Sequence, residues 1–257
     1  MRKEETEKMT YIIADIHGRA DRFHSILKQI HFSEEDTLYI LGDVIDRNPD
    51  GIQILLEIMD AANMPMLLGN HEYMMLNVVD APVGYPEEYW AAELENWYYN
   101  GGEITLQAFL KQPEQSRKRI IDYLENLPLN REISINGRDY LLVHGSPEAT
   151  FEPGISEYPD VTMYAVWNRL DPFAENDFAD KTILCGHTPT IFFRDSLPME
   201  ILINGNVICM DCGCAFPDGR LGCLCLETEE IFYSEDPGNA GKQYRVKTPG
   251  RKRKREI

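Results

Sequence analysis

The chain has 257 residues, 43% of them hydrophobic, and a formal net charge of −18 at pH 7. A chain of this length can bury a full hydrophobic core, and its apolar content excludes a mainly disordered protein. Positive charge is concentrated in residues 242–257, so the remaining chain is strongly acidic and repels nucleic acid phosphates, which argues against a nucleic acid partner.

Short apolar runs alternate with helical patterns in the first third of the chain. The runs at 11–14, 37–41 and 64–68 predict three buried strands. Segments 19–30 and 49–62 carry apolar residues at helical spacing and predict amphipathic helices between those strands. This alternation favours parallel strands with right-handed crossovers.

The middle and last parts of the chain have different patterns. Residues 80–130 are aromatic and mostly helical in pattern, which predicts a helical cap inserted in the main domain. Two-residue hairpin turns are predicted at Asn136-Gly137 and Asp218-Gly219. Short β-type runs follow the cap at 131–136, 139–143, 182–185, 201–203, 206–210 and 222–227.

One domain is expected over residues 1–235, followed by a basic, disordered tail at 236–257. The cluster at 251–255 either addresses an anionic partner, folds back on the acidic body or serves solubility alone. No apolar run approaches the roughly 20 residues that cross a bilayer, and residues 1–8 lack the apolar centre of a secretion signal. We therefore expect a cytoplasmic protein without membrane association and with reduced cysteines.

Metal-competent side chains follow five of the predicted strands. Because ligands bind at the carboxyl ends of parallel strands, we expect these side chains to converge. A mixed oxygen and nitrogen set suits Mn, Fe(II), Zn, Co or Ni rather than Ca, and one carboxylate can bridge two ions about 3.5–4 Å apart. Ordinary polar turns explain one such motif, but poorly explain five. The potential ligands after these strands are Asp15, His17, Asp43, Asp46, Asn70, His71, His144 and His187, and Arg47 lies among them.

These motifs resemble the calcineurin-like metallophosphoesterase superfamily, and more narrowly the bacterial and phage type of serine/threonine phosphoprotein phosphatase. They read, in order, Asp-x-His-Gly, Gly-Asp-x-x-Asp-Arg, Gly-Asn-His-Glu, His-Gly and Gly-His. The resemblance spans about residues 10–235. It implies a four-layer α/β/β/α sandwich with a helical cap, and two divalent metal ions as cofactors, expected to be Mn, with Fe, Zn, Co or Ni as alternatives.

The resemblance also implies a role for each motif residue. The first metal has the ligands Asp15, His17 and Asp43, and the second has Asp43, Asn70, His144 and His187, with Asp43 bridging. The substrate phosphate is held by Arg47, Asn70 and Arg169. His71, oriented by Asp46, protonates the leaving oxygen, while a metal-bridging hydroxide attacks phosphorus directly. Ala14, Asn48 and Ser146 depart from the family pattern, which bears on loop shape and substrate choice rather than on the ligands.

Three functions are compatible with these motifs. The leading hypothesis is a metal-dependent phosphatase acting on phosphomonoesters, with phosphoserine or phosphothreonine in proteins as the expected substrate. The alternative is hydrolysis of a dinucleoside polyphosphate such as diadenosine tetraphosphate, since both activities share the metal core and differ in the cap and the loops near Arg169. A remote alternative, a catalytically weak phosphoprotein-binding protein, is disfavoured because His71, Asp46 and Arg47 are all present.

Two further segments carry open alternatives. If Asp218-Gly219 forms a tight turn, Cys214 pairs with Cys223 and Cys212 with Cys225 on one face of a hairpin, as a soft-metal or redox site or, in the favoured reading, as apolar packing. Asn100-Gly101-Gly102-x-x-Thr105, after Trp97, resembles the bacterial branch and either ends a helix or contacts the substrate. Asp211 is expected to support a ligand histidine without binding metal itself.

Overall fold

The computed structural model describes residues 8–195 and 197–235, and the backbone of 246–247. The strands are β1 (Thr10–Ile13), β2 (Thr37–Ile40), β3 (Asn130–Ile135), β4 (Arg138–Val143), β5 (Lys181–Cys185), β6 (Leu202–Asn204), β7 (Val207–Cys209), β8 (Gly222–Cys225), β9 (Glu230–Tyr233) and β10 (Val246–Lys247). The α-helices of the described residues are α1 (Ala20–Gln29), α2 (Gly51–Asp60), α3 (Asn70–Val79), α4 (Glu87–Tyr99), α5 (Glu103–Leu110), α6 (Glu114–Glu125) and α7 (Val161–Trp167).

The strands form two five-stranded sheets, ordered β10-β9-β8-β1-β2 and β3-β4-β5-β7-β6. Along β1, Tyr11 and Ile13 pack in the core shared with the helices, whereas Ile12 packs in the core between the two sheets. This alternation follows from the two-residue period of a strand, and it explains why β1 is apolar throughout. The predicted two-sheet α/β fold class is confirmed. Loop residues Leu170 and Phe178 pack on the outer face of the second sheet.

Parallel pairing brings the ends of several strands together. In the first sheet β1 pairs in parallel with β2, and in the second β4 pairs with β5 and β5 with β7 in the same way. The Asn136-Gly137 hairpin between β3 and β4 is confirmed, with both residues at positive φ as a two-residue turn requires. Helices α4, α5 and α6 lie within the region predicted to be helical.

The strand predicted at 64–68 is wrong as a regular strand. Only one bridge, between Ile40 and Met66, joins this segment to β2. Pro65 has no N–H with which to extend the pairing beyond the hydrogen bonds that Pro65 O and the Leu67 N–H make with Ile40. The segment nevertheless runs beside β2 and delivers Asn70 to the start of α3.

The cysteine hairpin is also wrong. Residues 212–221 form no strand: the Arg220 N–H donates to Cys212 O, and Gly213 has a φ of +66° that turns the chain. Cys212 packs between the sheets, whereas Cys214 packs in the helical core, so the two do not share a face. All six cysteines are free and buried, and those of the predicted cluster pack as apolar side chains.

The predicted tail at 236–257 lies outside the described residues, apart from the backbone of β10, which pairs with β9. No described helix combines the length and the apolar character needed to cross a lipid bilayer.

Candidate metal centre

The predicted ligands come together where strands of the two sheets end. Asp15 and His17 follow β1, Asp43 follows β2, Asn70 begins α3, His144 follows β4 and His187 follows β5. All of them are buried except His187, which is partly exposed. The structure therefore assembles one polar centre from both sheets, as parallel strand ends predict.

The backbone at this centre is in an unusual conformation. Six of its residues have a positive φ, among only nine non-glycine residues of the described chain that do. A left-handed conformation costs a residue with a Cβ about 1–2 kcal/mol, so the surrounding structure must hold these side chains in place. The six are Asp15, His17, Asp43, Asp46, Arg47 and His187.

Asp43 joins two groups of potential metal ligands. Its Oδ2 lies 3.8 Å from His17 Nε2, and its Oδ1 lies 3.5 Å from His144 Nε2. One group of ligand atoms consists of His17, Asp43 and His71, and the other of Asp43, His144 and His187. A carboxylate that offers one oxygen to each of two groups has the arrangement of a bridging ligand.

Three histidines present an unprotonated ring nitrogen to this centre. The ring Nδ1 of His17 lies 3.0 Å from Ile45 O and that of His144 2.6 Å from Leu41 O, while His187 Nε2 lies 3.0 Å from Trp167 O. Each carbonyl can only accept, so the proton of a neutral ring lies there and the opposite nitrogen carries a lone pair. Hydrogen bonds of this kind orient metal-binding histidines.

The histidines are also held neutral. Burial lowers the pKa of His17 and His144. Burial, and next the nearby imidazole of His144, lower the pKa of His187 to about 3. Asn70 Oδ1 lies 2.9 Å from both His144 Nε2 and His187 Nδ1, so three acceptor atoms face one another without a proton between them. A divalent cation satisfies such a set, and the residues present therefore fit a metal ion.

Acidic groups crowd the same space. Burial, together with the charges of Asp211 and Asp43, raises the pKa of Asp15 well above its usual value, and burial raises that of Asp211 to about 7. Burial also opposes the ionisation of Asp43, but the surrounding imidazoles, His144 first among them, favour the carboxylate more strongly, so the net effect is a lowered pKa. Excess buried carboxylate is a second feature that cations would neutralise.

Asp15 lies beside both ligand groups without belonging to either. Its two carboxylate oxygens accept hydrogen bonds from the His187 N–H at 3.0 and 3.1 Å. These hydrogen bonds connect the end of β1 in the first sheet to the end of β5 in the second. Its assignment as a ligand of the first metal remains a prediction.

A hydrogen-bonded pair occupies one side of the centre. His71 Nδ1 lies 2.7 Å from Asp46 Oδ2, and both side chains are buried. Burial lowers the pKa of His71, but the charges of Asp43 and Asp46 more than compensate, so the net effect is a raised pKa. The ring is therefore able to hold a proton on Nε2, the nitrogen that faces the site.

The two predicted phosphate-binding arginines are both exposed at this edge. Arg47 Nη2 lies 3.2 Å from His71 Nε2, and the Arg47 N–H donates to Gly101 O. Arg169 follows α7, and its charge contributes to lowering the pKa of His187. An accessible guanidinium can receive a phosphate, whose oxygens match its planar fork.

The comparisons with known proteins agree with this geometry. The family described as calcineurin-like phosphoesterase matches residues 9–220. The chain belongs to that family. A curated relative of Acidovorax sp. (strain JS42), a symmetrical bis(5'-nucleosyl)-tetraphosphatase, is 32% identical over 232 residues, which are 89% of this chain and 73% of the relative.

Solved structures share the fold of this phosphoesterase. A protein suggested to be a diadenosine tetraphosphatase aligns with a TM-score of 0.57 at 19% identity, over 89% of this chain and 94% of that one. A protein serine/threonine phosphatase from Saccharomyces cerevisiae aligns with a TM-score of 0.53 at 16% identity, over 96% and 83% of the two chains. At such identities the likeness concerns the fold alone.

Sequence reasoning about the phosphoesterase site missed the role of Glu72. This buried carboxylate accepts backbone N–H bonds from Asp43 (2.9 Å), Val44 (2.8 Å), Ile45 (3.3 Å) and Gly69 (3.2 Å). Burial and the charge of Asp43 raise its pKa to about 7. Glu72 thus ties the loop that carries Asp43 to the start of α3. In the sequence, only its place in the Gly-Asn-His-Glu motif indicates that Glu72 belongs to the site.

The second missed residue is Trp97, in the cap. Its indole N–H donates to Asp46 Oδ2 at 2.8 Å, and the Asp46 N–H donates to Thr105 Oγ1 at 2.9 Å. A Cβ at Gly102 would lie 2.3 Å from the indole, so only glycine lets the chain pass there. The Asn-Gly-Gly segment therefore does more than end α4: Trp97 and Thr105 on either side of it hold Asp46, and Gly101 O accepts from the Arg47 N–H.

Asp211 accepts a hydrogen bond from the Gly213 N–H at 2.8 Å, and its role in supporting a ligand histidine remains a prediction.

Proposed function

We propose that this phosphoesterase cleaves bis(5'-nucleosyl) tetraphosphates symmetrically, releasing two nucleoside diphosphates. The observation that carries the proposal is the 32% identity over 232 residues with a relative of that name. In the sequence analysis this activity was the alternative to a protein phosphatase, because both activities share the metal core. The leading hypothesis, a protein serine/threonine phosphatase, has a fold likeness at 16% identity beside it, which bears on the fold and not on the substrate.

We propose that Asp15, His17, Asp43, Asn70, His144 and His187 hold two divalent ions, with Mn as the working metal. When bound, the ions supply Lewis acidity toward phosphate oxygens and an activated water. The donor set of imidazole, carboxylate and amide oxygen accepts Mn as well as Fe, Zn, Co or Ni.

The protein's own groups account for binding and proton transfer. Arg47 and Arg169 donate hydrogen bonds to phosphate oxygens and offset the charge of a polyphosphate chain. His71 carries a proton on Nε2 toward the oxygen that leaves, while Asp46 holds the Nδ1 side of the ring. In the structure Arg47 faces His71 Nε2. Substrate binding would draw the guanidinium toward phosphate and leave that nitrogen free to take up a proton, which it then donates.

The test is product analysis with purified, Mn-loaded protein. Incubation with diadenosine tetraphosphate should yield ADP as the only nucleotide product, with kcat/KM well above that for a phosphoserine peptide. Release of AMP and ATP would contradict symmetrical cleavage. Faster hydrolysis of the phosphopeptide would return the assignment to the protein phosphatase hypothesis.

A further inference from the structure

Each of the two predicted phosphate-binding arginines lies beside an exposed phenylalanine ring. Arg47 Cζ is 5.9 Å from the centroid of the Phe216 ring, and Arg169 Cζ is 5.8 Å from that of Phe192. These distances are within the roughly 6 Å at which a guanidinium is attracted to an aromatic face. Phe216 is 39% exposed and Phe192 67% exposed, so each ring keeps open surface beside its arginine.

The backbone around Phe216 is held in place on both sides. Its N–H donates to Gly213 O at 2.8 Å, and its carbonyl accepts from the buried Arg22 Nη1 at 3.2 Å and from the Gly219 N–H at 3.1 Å. Arg22 also donates to Cys214 O at 2.7 Å. Keeping a large apolar ring at the surface forgoes the stabilisation that burial would give. A loop built to present such a ring indicates a ligand for it.

Phe192 is presented in a similar way. It ends a short 3-10 turn, Thr190–Phe192, which begins three residues after His187. The Phe192 N–H donates to Pro189 O at 3.0 Å, and the Thr190 N–H donates to Asp211 O at 2.9 Å. Because Asp211 begins the segment that leads to Phe216, a main-chain hydrogen bond connects the two ring-bearing segments at the edge of the metal centre.

We infer that Phe192 and Phe216 are stacking platforms for the two nucleobases of a dinucleoside polyphosphate. Each half of such a substrate has a base and a run of phosphates, and each ring–arginine pair offers an aromatic face and a cation. A symmetrically cleaved substrate needs two such sites, one for each nucleoside diphosphate half. The inference rests on the proposed function and assigns the binding of the nucleobases to these two rings.

A different reading is that the rings only position the arginines. Truncating a ring would then weaken binding of every phosphate ligand equally, whether or not it has a base. Stacking predicts a loss confined to ligands that contain a base, since inorganic phosphates have no aromatic surface to stack. The two readings therefore separate on matched ligands with and without adenosine.

The experiment uses the full-length, Mn-loaded protein and the variants Phe192→Ala and Phe216→Ala, with Phe192→Tyr and Phe216→Tyr as conservative replacements. Phe173→Ala is the matched control, because Phe173 is 59% exposed and its ring packs edge-on against Phe193. Calorimetry measures Kd for ADP and for pyrophosphate. Kinetics measures KM for diadenosine tetraphosphate and for inorganic tetraphosphate.

Each alanine variant should raise Kd for ADP and KM for diadenosine tetraphosphate by roughly 5- to 150-fold, the range that one stacked base contributes. Values for pyrophosphate and inorganic tetraphosphate should change less than about twofold, the tyrosine variants should restore base binding, and Phe173→Ala should match wild type. Equal losses for ligands with and without a base, or no loss at all, would overturn the inference.

The outcome also separates this inference from the proposed function. If the wild-type protein cleaves diadenosine tetraphosphate and both alanine variants behave like it, the proposed function stands and the stacking role of the two rings is wrong. If the wild-type protein leaves diadenosine tetraphosphate intact, but binds ADP more tightly than pyrophosphate through Phe192 and Phe216, the proposed function is wrong and the stacking role stands.

Discussion

The Trp97 indole N–H and Asp46 Oδ2 form a buried hydrogen bond of 2.8 Å between the helical cap and the metal centre. The same oxygen binds His71 Nδ1 at 2.7 Å, and Asp46 Oδ1 has no hydrogen-bond partner among the described residues. The orientation of His71 therefore depends on a carboxylate that the cap holds in place.

Replacing Trp97 with Phe should lower kcat about 10-fold, by analogy with the loss of a group that supports a metal ligand. The ring would still fill its site but could not donate to Asp46. KM and metal content should stay near wild type. Trp90→Phe is the control, because Trp90 lies in the same cap but its indole N–H donates to Val78 O and not to Asp46. An unchanged kcat with a lowered Tm would mean that the indole contributes packing alone.

Replacing His71 with Asn should reduce kcat by about 10²- to 10⁴-fold, the usual contribution of a positioned acid. Metal content, measured by elemental analysis, should be nearly unchanged. His71 also lies within one of the two ligand groups with His17 and Asp43. Loss of metal on substitution would show that it binds an ion instead. The exposed His24→Asn serves as the control.

Replacing Glu72 with Gln should weaken metal binding about 10- to 100-fold without altering a predicted ligand. One carboxylate oxygen accepts from Asp43 and Gly69 and the other from Val44 and Ile45, so an NH2 group must face a donor on either side. Mn titration of the metal-free variant measures the change. Glu57→Gln, at an exposed contact with His24, should bind Mn like wild type.

Asp211 should make the stability of the metal-free protein depend on pH. Burial raises its pKa to about 7 in the folded state, whereas the unfolded carboxyl titrates near 3.8. Between about pH 4 and 7 the folded state alone keeps this proton, so its stabilising contribution declines as pH rises. Asp211→Asn does not titrate and should therefore gain stability relative to wild type over this window, by up to about 1.4 kcal/mol per pH unit.

Urea unfolding of both proteins in chelator, from pH 4 to 8, measures that difference. The free energies of unfolding should be closest near pH 4 and diverge up to about pH 7. A difference that stays constant across this range would contradict the raised pKa of Asp211.

Local patterns predicted most of the strands and the residues that follow them. A polar residue after an apolar run marks a strand end, and parallel pairing makes such ends meet, as found for Asp15 and Asp43 in the first sheet and for His144 and His187 in the second. The failures have equally local causes. Pro65 interrupts a run that otherwise looks like a strand, and Asp218-Gly219 has the composition of a hairpin turn but follows a chain already turned at Gly213.

The supporting contacts were beyond sequence reasoning because they join distant residues without a periodic pattern. Trp97 is 51 residues from Asp46, and Glu72 is 28 residues from Val44. Neither residue type by itself marks a supporting contact. Substrate choice has the same difficulty, since the exposed rings of Phe192 and Phe216 acquire meaning only beside Arg169 and Arg47.

The left-handed residues at the metal centre limit how this protein can be made more heat-resistant. Glycine would relax the backbone at Asp15, His17, Asp43, Asp46, Arg47 and His187, yet each exchange would delete a side chain of the proposed site. Directed evolution for heat resistance would therefore have to act at other positions, because the strained backbone and the proposed site residues coincide at these six positions.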